Sequence, residues 1–271
     1  MDAAAAIVLA GGRSTRMGMA KAALDWHGST LLRRVTGILA RSVDGPVVVV
    51  RAAGQELPEL PPGVEVVTDA REGRGPLEGL AAGLRALAGR AQIAYLSSTD
   101  VPLLHPAFVR AVISTLGDAD DVALPEIAGH HQPLAAAYRP RILDALEDLL
   151  AADELRPASL YARCRVRRVA AEELLRDPTV ALLDPRLDSL RNLNDRSEYQ
   201  RAHAADGPQV AVEWRGGPTA RSETVRGWSL VEVADAVGTR LDPRVVVRLN
   251  GVCVPDDPRL PLVAGDAVAF G

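Results

Sequence analysis

Apolar and polar positions follow two rhythms along the first two hundred residues. Short runs of small or β-branched apolar residues, bounded by Gly, Pro or polar clusters, occur at Ala4–Leu9, Pro46–Arg51, Val64–Thr68 and Ile93–Ser97. Their length and composition predict buried strands. Between them, Thr30–Arg41, Leu77–Ala88 and Pro106–Leu116 carry the wider apolar spacing of helices that face a core. This repeated strand and helix alternation predicts an α/β fold, a mostly parallel sheet with helices on both faces. Such a sheet takes ligands in the crevice beyond the carboxyl ends of its strands. From Asp121 the pattern changes. Val122–Pro125 and Pro133–Tyr138 predict a strand pair around Gly129-His130-His131, Pro140–Ala151 a helix, and the alternating Arg163–Ala170 a half-exposed strand. Asn192–Asp195 leads into a helix over Asp195–Ala204.

Beyond this helix the rhythm shortens. Val210–Trp214, Ser222–Arg226, Arg244–Leu249, Val252–Val254 and Asp266–Phe270 predict strands, with a short helix at Leu230–Val237 ended by Gly238. Asn250-Gly251 is a strong hairpin signal. The order fits a small β-grasp (ubiquitin-like) module. The predicted organisation is a first domain over 1–203, a polar linker at 204–208 and a second domain over 209–271.

Composition narrows the function. Of the 271 residues, 48% are hydrophobic and only 3% aromatic, so the core must be built from Ala, Leu and Val. A net charge of −4 argues against a nucleic-acid partner. No apolar run is long enough for a membrane span, and residues 3–10 lack the basic flank of a signal peptide. Cys164 and Cys253 have no metal-ligand spacing and read as core residues of a cytoplasmic protein. Lys and Arg together number 31, yet Lys21 is the sole lysine. It sits in a glycine-rich loop, where a compact ammonium does what a planar guanidinium does not.

That loop, Leu9-Ala10-Gly11-Gly12-Arg13-Ser14-Thr15-Arg16-Met17-Gly18-Met19-Ala20-Lys21, follows the first strand. Gly11 and Gly12 lack Cβ atoms, so backbone can approach a nucleotide and turn N–H groups to its phosphates. Arg13, Arg16 and Lys21 supply cations suited to a triphosphate. Neither the P-loop nor the dinucleotide-binding spacing is present. Asp100 ends an apolar strand at the same predicted edge. A carboxylate there either coordinates a cation or caps the following helix, as Ser98 or Thr99 also could. Asp69 is open to a binding role or a turn-capping one. His130-His131 reads as a hairpin tip, and Arg163, Arg165, Arg167 and Arg168 read as a solvated strand face or a phosphate contact.

The loop resembles the signature of the molybdenum cofactor guanylyltransferases, nucleotidyltransferases with a Rossmann-like sheet. Gly11 stands where the related cytidylyltransferases usually have a second Ala, which favours guanine. Ala20 and Arg51 depart from the pattern, which often has an acidic residue and an asparagine in their places. Val66-Val67-Thr68-Asp69, Gly75-Pro76-Leu77-Glu78-Gly79, Thr99-Asp100-Val101-Pro102, Gln132-Pro133-Leu134 and Asn192-Leu193-Asn194 resemble the family's later motifs. The resemblance implies that Leu9, Ala10, Gly11, Gly12, Lys21, Arg51, Asp69, Gly75, Pro76, Leu77 and Asp100 bind the nucleotide. It further implies that Asp100 holds Mg²⁺, that Arg16, Lys21 and Asp100 are catalytic, and that Gln132, Asn192 and Asn194 meet the acceptor. The substrates would then be GTP and molybdopterin. Residues 208–271 are similar to the small sulfur carriers of molybdopterin and thiamine synthesis, through Val247-Arg248-Leu249-Asn250-Gly251 and Gly265-Asp266-Ala267-Val268. Because Phe270-Gly271 stands in place of the carriers' Gly-Gly tail, the expectation is a docking or stabilising domain rather than a sulfur carrier, with a protein of the same pathway as the docking partner. Two rival readings are the same chemistry with CTP or a sugar phosphate, and a nucleotide-binding scaffold without catalysis.

Overall fold

The computed structural model describes residues 3–11, 20–69, 71, 73–214, 221–242, 244–255 and 257–271. The chain forms two compact units, Met1–Leu24 with Thr30–Arg196, and Asp25–Ser29 with Ser197–Gly271.

In the first unit, β1 (Ala4–Leu9), β2 (Val47–Arg51), β3 (Glu65–Thr68), β4 (Ile93–Ser98), β5 (Val122–Ile127), β6 (His130–His131), β7 (Ala135–Tyr138) and β8 (Val166–Ala170) form one eight-stranded sheet. Its order is β8-β5-β7-β4-β1-β2-β3, with β6 paired to β5. Strands β3, β2, β1 and β4 are mutually parallel. The change of rhythm after Asp121 marks the antiparallel β7, which inserts between β4 and β5. The central strands are apolar on both faces because both faces are covered. Ala5 and Ile7 of β1, with Val48, Val50 and Leu96, pack against Leu77, Leu80 and Leu84 of α2 (Pro76–Ala86) and Leu146, Leu149 and Leu150 of α4 (Leu143–Ala151). The alternate residues Ala6, Val8 and Val49 are equally buried and face the other way, towards α1 (Leu31–Ala40) and α3 (Pro106–Ser114). Those two helices contact the strands and each other. Short helices α5 (Pro157–Tyr161), α6 (Ala171–Leu174) and α7 (Pro178–Leu183) complete the unit.

Close approach of α2 to β1 depends on two glycines. A Cβ on Gly79 would lie 2.8 Å from Leu9 Cδ2, and one on Gly83 would lie 2.6 Å from Ile7 Cγ2. Because Gly79 meets Leu9 and Gly83 meets Ile7, α2 runs antiparallel to β1, and its amino end lies at β1's carboxyl end. From β1 the chain winds outward to β2 and β3, then returns to place β4 on β1's other side. The carboxyl ends of β1 and β4 therefore form the switch point where such sheets bind ligands.

In the second unit, β9 (Gln209–Trp214), β10 (Arg221–Arg226), β11 (Val247–Leu249), β12 (Val252–Cys253) and β13 (Ala267–Phe270) form a five-stranded sheet in the order β10-β9-β13-β11-β12. β9 and β13 are parallel and the other pairs antiparallel. Leu230, Val233 and Ala234 of α9 (Leu230–Ala236) cover its apolar face. Asn250 and Gly251 take φ of 51° and 84°, as a tight hairpin requires. The Asn250 amide also donates to Asp266 and accepts from the Ala267 N–H.

The units differ from the boundary expected at 203–209. Helix α8 (Arg196–His203) belongs to the second unit from Ser197 onward, together with Asp25–Ser29. Aromatic packing accounts for this: the Trp26 ring meets His27, Tyr199, His203 and Trp228, while His27 lies 3.0 Å from Glu232. Two smaller expectations are also corrected. His130 and His131 form the return arm of a hairpin whose turn is Ala128-Gly129, both at positive φ. Cys253 is exposed on β12, whereas Cys164 is half-buried against the core.

Candidate active site

The site starts where β1 ends. Ala10 N–H donates to Val50 O, and Gly11 follows, exposed, beside Ala52. Gly12 and Arg16 lie outside the described residues, as do Arg13 and Gly18. The loop is described again at Ala20, and Lys21 opens a short 3-10 turn over Lys21–Ala23.

Across the switch point, Leu9 pairs with Ser98, and the Thr99 hydroxyl donates to Leu9 O at 2.9 Å. This bond fixes the chain just as β4 ends, immediately before Asp100, which meets Lys21. Lys21 Nζ donates to Asp100 Oδ2 at 2.6 Å, and Ser98 Oγ donates to Oδ1 at 2.7 Å. The side chains of Lys21 and Asp100 are 22% and 16% exposed, so the pair is partly shielded yet open to a ligand. Helix α3 is capped by His105, whose ring accepts from the Ala107 N–H, so neither Asp100, Ser98 nor Thr99 serves as its cap.

The other described candidates lie along the same edge. Arg51 ends β2, with Nη1 donating to Gln55 O at 3.0 Å and Nε facing Thr68 Oγ1 at 3.5 Å. Asp69 follows β3 and is held by its N–H to Arg51 O. Gly75 takes a φ of 83° and, with Pro76 behind it, opens α2. Leu77 is buried beneath that first turn. The unpaired N–H groups of such a turn favour an anion. Arg74 holds the turn by donating to Leu150 O and pairing with Asp153 and the buried Glu78. Because Ala135 pairs with Ser97 in antiparallel register, Gln132 lies past the carboxyl end of β4. Asn192 and Asn194 are exposed on either side of Leu193, whose N–H donates to Asp100 O at 2.8 Å. The expected acceptor segment is thus fastened to the residue expected to hold the metal.

Sequence reasoning missed two supports. Gln55 bridges the ends of β1 and β2, its amide donating to Ala10 O while its carbonyl accepts from Ala52 N–H. Leu193 anchors through backbone alone. A turn residue such as Gln55 carries no motif, and the Leu193 bond spans 93 positions of chain. Three of the four arginines around β8 are engaged with carboxylates: Arg165 with Asp121, Arg167 with Glu173 and Arg168 with Glu126. A cavity of about 440 Å³ lies beside that strand, lined by Leu124, His131, Tyr161, Cys164, Val166 and Arg168.

The donor set fits a divalent metal shared with a nucleotide's phosphates. Among the described residues no cluster of three or more His, Cys, Asp or Glu forms a protein cage for an ion. A single carboxylate that already binds a cation suits Mg²⁺, which keeps water and phosphate oxygens as most of its ligands.

Comparison with known proteins agrees with this fold. Residues 6–168, more than half of the chain, match the family described as MobA-like NTP transferase domain. The chain is 33% identical over 206 residues to the molybdenum cofactor guanylyltransferase of Desulfosudis oleivorans, covering 76% of this chain and 96% of that one. It is 36% identical over 215 residues to the probable molybdenum cofactor guanylyltransferase of Pelotomaculum thermopropionicum, covering 78% and 98%. Among solved structures, molybdopterin-guanine dinucleotide biosynthesis protein A from Archaeoglobus fulgidus superposes with a TM-score of 0.58 at 21% identity, covering 73% of this chain and 96% of that one. With its sheet and its relatives in accord, the chain is a nucleotidyltransferase and belongs to the MobA-like NTP transferase family.

Proposed function

We propose that the protein transfers GMP from GTP to the terminal phosphate of molybdopterin and releases pyrophosphate. The observation that carries this reading is the Lys21–Asp100 pair at the switch point, with the α2 amino end and the Asn192–Asn194 segment on the same edge. The names of the relatives support guanine and the molybdenum cofactor as the setting.

An oxygen of the acceptor phosphate attacks the α-phosphorus of GTP, and the bond from that phosphorus to the bridging oxygen breaks as pyrophosphate departs. The attacking oxygen is already anionic, so no protein nucleophile is needed. Positioning and charge stabilisation carry the rate. Asp100 would hold Mg²⁺, which neutralises phosphate oxygens when bound. Lys21 exchanges its carboxylate partner for phosphate oxygens and stabilises the leaving pyrophosphate, with Arg16 assisting. Leu9, Ala10, Gly11, Gly12, Arg51 and Asp69 hold the nucleoside. Gly75 and Leu77 present N–H groups at the α2 amino end, where Pro76 fixes the turn, and Gln132, Asn192 and Asn194 receive the acceptor. The second unit is read as a β-grasp module, because its strands lie in the order second, first, fifth, third, fourth with one helix across the sheet. Its proposed role is to dock a protein of the same pathway.

Exchange of labelled pyrophosphate into each of four NTPs in the presence of molybdopterin, with and without Mg²⁺, tests the reading. Metal-dependent exchange confined to GTP is expected. Exchange with CTP or another NTP instead would reassign the substrate, and none at all would leave only a binding scaffold.

A further inference from the structure

The end of β2 holds an arginine in a defined orientation with part of its fork unused. Arg51 Nη1 is anchored to Gln55 O, and Nε faces the Thr68 hydroxyl. No described residue engages Nη2. The same Gln55 side chain ties down Ala10 O and Ala52 N–H, so one residue fixes both the guanidinium and the backbone at the end of β1. Arg51 ends β2 and Asp100 follows the end of β4, on opposite sides of β1, with the two strands about 10 Å apart at the usual strand spacing. That span suits a nucleotide whose phosphates lie at Asp100 and whose base lies at Arg51.

We infer that Arg51 is the specificity-determining residue of the nucleotide site and reads the O6 and N7 acceptors of a 6-oxopurine, while Gln55 positions it. The inference rests on the nucleotidyl-transfer reading above. Two adjacent acceptors match the parallel N–H bonds of a guanidinium. Adenine offers a donor at position 6 beside N7, and cytosine has no such pair of acceptors on that edge, so both leave an N–H of Arg51 without a partner. A lysine would supply charge without the fork.

The test is pyrophosphate exchange by the full chain in the presence of molybdopterin with GTP, ITP and 7-deaza-GTP, in the native protein and in Arg51→Met and Gln55→Leu. Native protein is expected to use 7-deaza-GTP about tenfold less well than GTP, since one hydrogen bond is lost. Arg51→Met is expected to lower kcat/KM for GTP by about 10- to 100-fold, mainly through KM, and to treat GTP and 7-deaza-GTP alike. Its GTP to ITP ratio stays unchanged, because both bases carry O6 and N7. Gln55→Leu shifts the same ratios in the same direction by less, because the backbone carbonyl that holds Arg51 remains. Native protein that does not distinguish GTP from 7-deaza-GTP, or an active Arg51→Met that still does, overturns the assignment while leaving nucleotidyl transfer intact. Exchange with no NTP removes the underlying reading and this assignment with it. The 7-deaza comparison on native protein needs no variant to fold.

Discussion

Lys21 and Asp100 are separated by 79 positions and meet at 2.6 Å. Neither is buried enough for the pair to be a core element, and an ion pair that solvent still reaches adds little to stability. Its value lies in holding two charged groups where a phosphate can part them. Lys21→Ala is therefore expected to lower turnover by about two to three orders of magnitude, as loss of an oriented charge stabiliser does, while thermal unfolding moves little. A near-normal rate would remove Lys21 from the mechanism. Lys21→Arg is expected to fall well short of native activity as well, because the planar fork is not a compact point charge. Sequence pointed to both partners by separate routes: a sole lysine in a glycine-rich loop, and an acid closing an apolar strand. What it did not show is that Ser98 completes the carboxylate's contacts, that Thr99 fixes the chain before it, or that Gln55 braces the neighbouring strand ends. These are short-range bonds from residue types that occur at every turn.

At the scale of elements, α2 is the part most exposed to small changes. Its two glycines let it lie directly on β1, and a side chain at either must displace Leu9 or Ile7. Gly83→Ala meets three Ile7 carbons and is expected to cost about 1–3 kcal/mol in a denaturant titration. Gly79→Ala meets chiefly the end of the Leu9 side chain, so its expected effect is a raised KM for nucleotide through a shifted α2 amino end. The far side of the sheet depends on Asp121, which joins the start of β5 to the start of β8 through the Arg165 N–H and to Arg141. Burial alone would raise the Asp121 carboxyl, but the Arg165 N–H and the Arg141 guanidinium outweigh it and hold the group below its ordinary 3.8. A lowered folded value means that this contribution is present above the unfolded value and disappears as pH falls through the folded one. Asp121→Ala is thus expected to lose about 1–3 kcal/mol near neutrality, with its unfolding curve converging on native in strong acid. The strands and long helices were legible because periodicity reports which faces are covered. The insertion of β7 between β4 and β5 was not, since pairing order depends on contacts that a local pattern does not contain.

At the scale of the molecule, the chain leaves its first unit at Asp25 and rejoins it at Thr30, and the five intervening residues belong with the C-terminal ones. The sequence showed two modules but not this excursion, because Trp26 and His27 find their partners among Tyr199, His203, Trp228 and Glu232, far along the chain. Trp26 is only 1% exposed. A chain ending at residue 208 would lose Trp228 and Glu232 from that cluster, and its melting temperature is expected to fall by several degrees, on the order of 2–4 °C per kcal/mol lost. An unchanged melting temperature would show that the cluster contributes nothing to stability. The central claim concerns the other unit, where the proposed nucleotide site lies at the switch point with Asp100 at its phosphate end. Its most direct test follows α-labelled GTP incubated with molybdopterin and Mg²⁺, using native protein and a folded Asp100→Ala. The account predicts labelled GMP joined to the pterin phosphate by native protein and at least a hundredfold less by the variant, on the order of one lost charge stabiliser; label transferred equally well by Asp100→Ala would contradict it.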